Sequence, residues 1–182
     1  DFNNVKFFVG HSLGEYGALV CSESLSFKDA LYLLYERGKA MQEAVPIGRG
    51  GMLAVLGLET EEIKNYINKL TENGVCEIAN DNANGQTIVS GNIECIDELQ
   101  ITLKKNKKKS IKLPVSAPFH CSLMNKAANI MKDKIDSVKF EKPKFEIVNN
   151  VTSTPTTDPN LIKKLLFEQI YSKVRWRESI LY

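Results

Sequence analysis

Apolar and polar positions alternate in a way that fixes most of the elements before any chemistry is considered. The run Val5-Lys6-Phe7-Phe8-Val9 predicts a strand. Gly10-His11-Ser12-Leu13-Gly14 follows it, and residues 13–20 read as a helix, so the first 22 residues form a strand, a tight turn and a helix. Residues 27–44 predict a second helix, with Ser26 as its N-cap and Asp29 in its first turn. Ala30, Leu34 and Met41 share one face of it, and Arg37 lies inside that same stripe. The stretch Pro46-Ile47-Gly48-Arg49-Gly50-Gly51 breaks the chain.

A second rhythm follows. Residues 52–58 predict a strand, 61–70 a helix capped by Thr60, and 75–79 a strand. Residues 80–85 (Asn-Asp-Asn-Ala-Asn-Gly) predict a polar turn. Residues 87–90 predict a strand, 93–105 a helix and 110–113 a strand. The order βαββαβ is that of a ferredoxin-like unit, here inserted and closing near Pro114. A proline-stiffened loop then carries Pro114 to His120, followed by a helix over 122–138, a strand over 145–151, a Thr/Pro-rich loop over 152–159 and a helix over 161–170. The expected fold is α/β. A hydrolase-like large subdomain (1–45 and 114–182) carries the turn, and a ferredoxin-like small subdomain occupies 46–113.

Composition narrows the class. With 182 residues, 43% hydrophobic and 25% charged, the chain can bury one real core with room for a subdomain. A net charge of +2 gives no argument for nucleic acid. No apolar stretch is long enough for a membrane span, and Asp1-Phe2-Asn3-Asn4 is no secretion signal. The four cysteines (Cys21, Cys76, Cys95, Cys121) have neither paired nor metal-binding spacing and read as free thiols of a reducing compartment. The cluster Lys104, Lys105, Lys107, Lys108 and Lys109 reads as a solvated helix end or as a docking patch for an acidic partner, without the interleaved aromatics of a nucleic-acid platform. Because the chain starts almost directly on a strand, upstream sequence is expected.

The chemistry centres on Ser12. G-x-S-x-G between a strand and a helix is the pattern of a nucleophile elbow, which holds the serine hydroxyl outward and leaves the Leu13 N–H facing a developing oxyanion. The alternative is an accidental strand–turn–helix. A serine nucleophile needs a base, and the chain has two histidines. His11 adjoins Ser12 on the turn, where neighbours point apart, and fits a structural role. His120, in its rigid loop, is the better base. No acid stands out as a third member, since Asp133 and Asp136 lie on a solvated helix; a backbone carbonyl is able to orient the imidazole instead. Arg37 on an apolar stripe fits either a carboxylate ligand or a structural salt bridge. With a reactive serine, it suggests an acyl group carrying its own carboxylate.

Phe8 to Tyr16 resembles the active-site motif of the malonyl-CoA:acyl carrier protein transacylases of fatty-acid synthesis. So do Arg37-Gly38-Lys39-Ala40-Met41-Gln42, Asn80-Asp81-Asn82 with the strand from Gly85 to Gly91, and Ser116 to Met124 around His120. Val148-Asn149-Asn150-Val151 and Gln169-Ile170-Tyr171 also match. The resemblance implies malonyl transfer from malonyl-CoA to the phosphopantetheine thiol of acyl carrier protein through a malonyl-serine. It makes Ser12 the acyl carrier, His120 its base, the backbone of Gln169 the orienter of His120, and the Leu13 N–H an oxyanion donor. It assigns Arg37 to the malonyl carboxylate and His11, Met41, Asn82 and Phe119 to the pocket, Phe119 going with malonyl rather than bulkier branched groups. No metal or redox cofactor, nucleic acid or membrane is implied.

Departures from the family are the absence of its N-terminal glycine- and glutamine-containing loop, its continuation past this C-terminus, and Asn84 where relatives often place proline. The sequence therefore reads as the middle of a larger enzyme. A bacterial cytoplasm or a plastid-like organelle is the expected setting, not secretion. Two rivals remain: a serine esterase or thioesterase, for which an acid is expected between serine and histidine and Arg37 has no role, and a catalytically incomplete carrier-binding fragment.

Overall fold

The computed structural model describes residues 4–182; Asp1, Phe2 and Asn3, part of the segment read as no secretion signal, lie outside the described residues. The fold is α/β with two sheets.

In chain order, β1 (Phe7–Val9) leads into α1 (Gly14–Cys21) and α2 (Phe27–Glu43). The α2 start is set as expected, with Ser26 Oγ accepting from the Asp29 N–H at 3.0 Å. There follow β2 (Gly50–Leu56), α3 (Thr60–Ile67), β3 (Cys76–Ala83), β4 (Gln86–Asn92), α4 (Ile93–Lys105) and β5 (Lys109–Lys112). These strands form one antiparallel sheet in the order β3-β4-β2-β5. A 3₁₀ turn (Ser122–Met124) runs into α5 (Asn125–Ser137). Then come β6 (Glu146–Val148), β7 (Pro155–Thr156), α6 (Pro159–Gln169) and α7 (Trp176–Leu181). β1 pairs parallel with β6, which pairs antiparallel with β7.

Alternation along β2 shows how the small sheet is packed. Leu53 and Val55 join Ile63, Ile96, Leu99 and Leu103 beneath α3 and α4, whereas Met52 points to the other face with Ala79 and Ile88. A separate, larger core lies around β1 and β6, with Tyr16, Leu19, Leu33, Met131, Ile147 and Leu166 fully or almost fully buried. Phe119 packs against both this core and the Met52 face, so the histidine loop is wedged where the two cores meet. Among the described residues no helix is long and apolar enough to cross a membrane.

Several expected boundaries move. The polar stretch 80–85 is not all turn. β3 continues through Ala83, and only Asn84-Gly85 makes the hairpin, with Gly85 at φ 71°. The strand survives its polar composition because it pairs with β4 on one side and, on the other, Asp81 N–H bonds Val174 O at 3.0 Å and Val174 N–H bonds Ala79 O at 2.8 Å, pairing supplied from far along the chain. Thr60 does not cap α3; it is the first helical residue, and Glu59 takes the cap position without a side-chain bond. The helix expected from 122 opens as a 3₁₀ turn, and the strand expected over 145–151 shrinks to three residues as Asn149 and Asn150 leave the ladder. α7 was not foreseen: it is six residues long, too short to show a period, and its N-cap Arg175 makes no side-chain cap bond.

Candidate active site

The elbow is forced by contacts a side chain would destroy. A Cβ on Gly10 would sit 2.0 Å from Gly14 O, so this position admits only glycine. Ser12 then turns into the left-handed region at φ 51°, strain that a serine bears only when its surroundings hold it. Asn150, just past β6, supplies the hold. Its Nδ2 donates to Gly10 O at 2.8 Å, and its Oδ1 accepts the Ser12 N–H at 2.6 Å.

Ser12 Oγ lies 2.7 Å from His120 Nε2, and His120 Nδ1 lies 2.9 Å from Gln169 O. A carbonyl only accepts, so Nδ1 carries the proton and Nε2 is left to accept from the serine hydroxyl. Burial first, and the Arg37 charge second, push the imidazole down to about 3, against the Gln169 carbonyl, which raises it. The ring is therefore neutral at pH 7. The position that a triad hydrolase gives to a carboxylate is filled by backbone.

Arg37 comes up from α2 beneath the serine. Its Nη2 donates to Ser12 Oγ at 2.9 Å and to Gln169 Oε1 at 3.0 Å. The residue is 6% exposed, yet it takes part in none of the ion pairs among the described residues, and its buried Nε has no partner. Burial lowers the guanidinium from its usual value, and the group sits 6.0 Å above the Tyr16 ring. The structural salt bridge left open by the sequence is thus not made.

Below them lies Glu15, 1% exposed. Its Oε2 accepts from Gln169 Nε2 at 2.7 Å and from the Asn150 N–H at 3.1 Å, and burial raises its carboxyl to about 7 despite those bonds and the Arg37 charge. Gln169 Nε2 also reaches Ser12 O at 3.1 Å.

A cleft of about 440 Å³ opens onto this group, lined by His11, Ser12, Arg37, Met41, Phe119 and His120 together with Gly38, Gln42, Met52 and Asn80. The structure therefore brings together Ser12, His120, Arg37 and Gln169, with His11, Met41 and Phe119 around them. Leu13 stands at the mouth of α1, its side chain 58% exposed and its N–H without a hydrogen-bond partner among the described residues. Asn82 does not line the cleft as expected. Register shifts leave Ala79 and Asn82 out of the β3–β4 pairing, and Asn82 Oδ1 instead holds His11 Nε2 at 2.9 Å, while Asn80 faces the cleft. Trp176 of α7 adds an edge contact to His11, ring centroids 5.2 Å apart. Glu15, Asn150, Asn80 and Trp176 had no assigned role in the sequence. An acid four residues before Leu19 on an apolar helix face was the readable signal for Glu15. Among the described residues no cluster of His, Cys, Asp or Glu is placed to hold a metal ion.

Comparison with known proteins gives the family of the chain. The acyl transferase domain family matches residues 4–182. A malonyl CoA-acyl carrier protein transacylase of Bacillus subtilis is 43% identical over 96% of this chain and 56% of its own length. An acyl-carrier-protein-S-malonyltransferase structure from Bartonella henselae is 41% identical, covers 97% of this chain and 57% of its own, and superposes with a TM-score of 0.94. A structure of a type II PKS acyl-carrier protein in complex with its malonyl-transacylase is 37% identical at a TM-score of 0.91, covering 95% and 55%. The chain spans a little over half the length of the curated relatives it matches. The match across nearly all of its residues and the serine–histidine–arginine cleft place this chain in the acyl transferase domain family.

Proposed function

We propose that the protein carrying this chain transfers a malonyl group from malonyl-CoA to the phosphopantetheine thiol of an acyl carrier protein, in fatty-acid biosynthesis. One observation carries the reading: a buried guanidinium with no ion-pair partner among the described residues sits 2.9 Å from the hydroxyl of the elbow serine. A desolvated cation beside a nucleophile calls for an acyl group that brings its own anion.

His120 Nε2 takes the Ser12 proton as Oγ attacks the thioester carbonyl. The Oγ–C bond forms, the Leu13 N–H faces the oxyanion, and the C–S bond then breaks. Coenzyme A leaves with the proton from His120, and malonyl-Ser12 remains with its carboxylate on Arg37. The carrier's thiol gives its proton to His120 and attacks the ester carbonyl; the proton returns to Ser12 Oγ as the malonyl group departs on sulfur. The Gln169 carbonyl keeps the His120 ring in the required tautomer throughout. His11, Met41 and Phe119 shape the pocket, and Asn82 acts on it through His11.

The small sheet is read as a ferredoxin-like subdomain spanning 46–113, inserted into a hydrolase-like large subdomain of 1–45 and 114–182. Its Met52 and Asn80 close one side of the cleft and help exclude water, which would discharge the ester. Malonyl-CoA and the carrier thiol are substrates, and the chemistry calls for no resident cofactor. A bacterial cytoplasm or a plastid-like organelle suits the free thiols. The test is to incubate the intact protein with malonyl-CoA and holo-carrier and quantify products. Malonyl-carrier is expected; free malonate as the main product makes the protein a thioesterase, and neither product leaves a binding module.

A further inference from the structure

We propose that Glu15 is a positioning residue: it decides which end of the Gln169 amide faces Arg37, and so aims the guanidinium at the acyl carboxylate. The inference rests on the reading of Arg37 given above. The Gln169 side chain is 1% exposed and its two ends have nearly the same shape, so packing alone does not choose between them. Bonding does. Oε1 accepts from Arg37 Nη2 at 3.0 Å, while Nε2 donates to Glu15 Oε2 at 2.7 Å. Flipped, the amide would set N–H against the guanidinium N–H and oxygen against both Glu15 Oε2 and Ser12 O. Arg37 would lose its inner acceptor, and with it the support that keeps Nη2 over Ser12.

The same Glu15 oxygen accepts the Asn150 N–H, and Asn150 grips Ser12 N and Gly10 O. One buried acceptor thus sets both polar clamps on the elbow. Burying a carboxyl without an ion-pair partner costs stability, and Glu15 is in none of the ion pairs among the described residues. A residue kept at such a cost, three hydrogen bonds from the reacting hydroxyl, is explained by what it orients.

The experiment compares malonyl-CoA with acetyl-CoA as acyl donors in the intact protein and four variants. Glu15→Leu removes the acceptor and is expected to lower the malonyl-over-acetyl preference by about tenfold or more, the size of one charge-assisted hydrogen bond. Glu15→Gln keeps a carbonyl able to accept from both Gln169 and Asn150, and is expected to restore the preference to within about threefold of the parent, since one neutral bond is worth little more than that. If Glu15→Leu does not fold, Gln169→Met carries the test, since it keeps the backbone carbonyl for His120 but has no amide to aim; the same loss of preference is expected. Equal losses for both donors, or a Glu15→Gln protein as indifferent as Glu15→Leu, overturn the inference. Arg37→Met separates the two claims. If it leaves the donor preference unchanged, the carboxylate reading itself falls; if it abolishes the preference while Glu15→Leu does not, only the role of Glu15 falls.

Discussion

Replacing Arg37 by methionine removes the charge and keeps most of the stem, and it separates function from stability. A bidentate clamp on a carboxylate is two charge-assisted hydrogen bonds, about 1.5–3 kcal/mol each. Losing it is expected to cost about 3–6 kcal/mol of malonyl transfer, or roughly 10²–10⁴ in kcat/KM at 1.4 kcal/mol per tenfold. Acetyl transfer has no carboxylate to lose and is expected to fall by no more than about tenfold, from the missing contact to Ser12 Oγ. The fold responds differently. Arg37 is 6% exposed and in no ion pair among the described residues, so its removal relieves a desolvation cost of several kcal/mol. Against that, Gln169 Oε1 loses its donor, at about 1–3 kcal/mol. The expected Tm is unchanged or higher. A structural ion pair would instead cost about 3–5 kcal/mol and lower Tm by roughly 6–20 °C for a chain of this size. Steady-state kinetics with both donors and a thermal scan give the answer. A large fall in Tm, or equal losses for malonyl and acetyl, refutes the reasoning.

Three further outcomes are expected. Burial holds Glu15 at about 7 against 4.5 in the unfolded chain, so the folded state keeps a proton that the unfolded state gives up, and this group's contribution is lost as pH rises from about 4.5 through 7. Glu15→Gln removes that loss, worth up to roughly 3 kcal/mol, and denaturant unfolding at pH 5 and 8 is expected to show the variant gaining on the parent at the higher pH; parallel behaviour contradicts this. Burial and the Arg37 charge hold His120 at about 3 in the free protein, and a bound carboxylate cancels the second cause, so the acid limb of kcat is expected at higher pH than that of kcat/KM; coincident or reversed limbs contradict it. Gly38 is an exposed mid-helix residue on the cleft wall, and a Cβ there meets no atom within 4 Å. Gly38→Ala is expected to stabilise the fold by about 0.5–1 kcal/mol while raising KM for malonyl-CoA, because the new methyl enters the cleft; an unchanged KM contradicts this.

The elbow was legible because its constraint is local. Gly10 faces Gly14 across one turn, so the need for glycine is written within five residues. α2 was legible from its apolar stripe and its Ser26 cap, and the span expected for α4, 93–105, is the one observed. The polar half of β3 was not. Asn80, Asp81 and Asn82 are turn formers by local preference, and it is pairing with β4 on one side and Val174 on the other, with the bidentate hold of Arg177 on Asp81, that makes them strand. The burial of Glu15 had a signal in the apolar face it shares with Leu19, but its part in the site had none, since its partners lie 135 and 154 positions away. Ser12, His120 and Arg37 were picked out by residue type and pattern; their convergence on one cleft is a matter of tertiary structure.

The most direct test is the intact mass of the full protein after brief mixing with malonyl-CoA in the absence of carrier. The expected result is one malonyl group per chain, mapped by peptide analysis to Ser12, absent in Ser12→Ala, and discharged when holo-carrier is added. An unmodified Ser12 in folded protein, or an acyl group resting on another residue, contradicts the claim that this hydroxyl carries the acyl group.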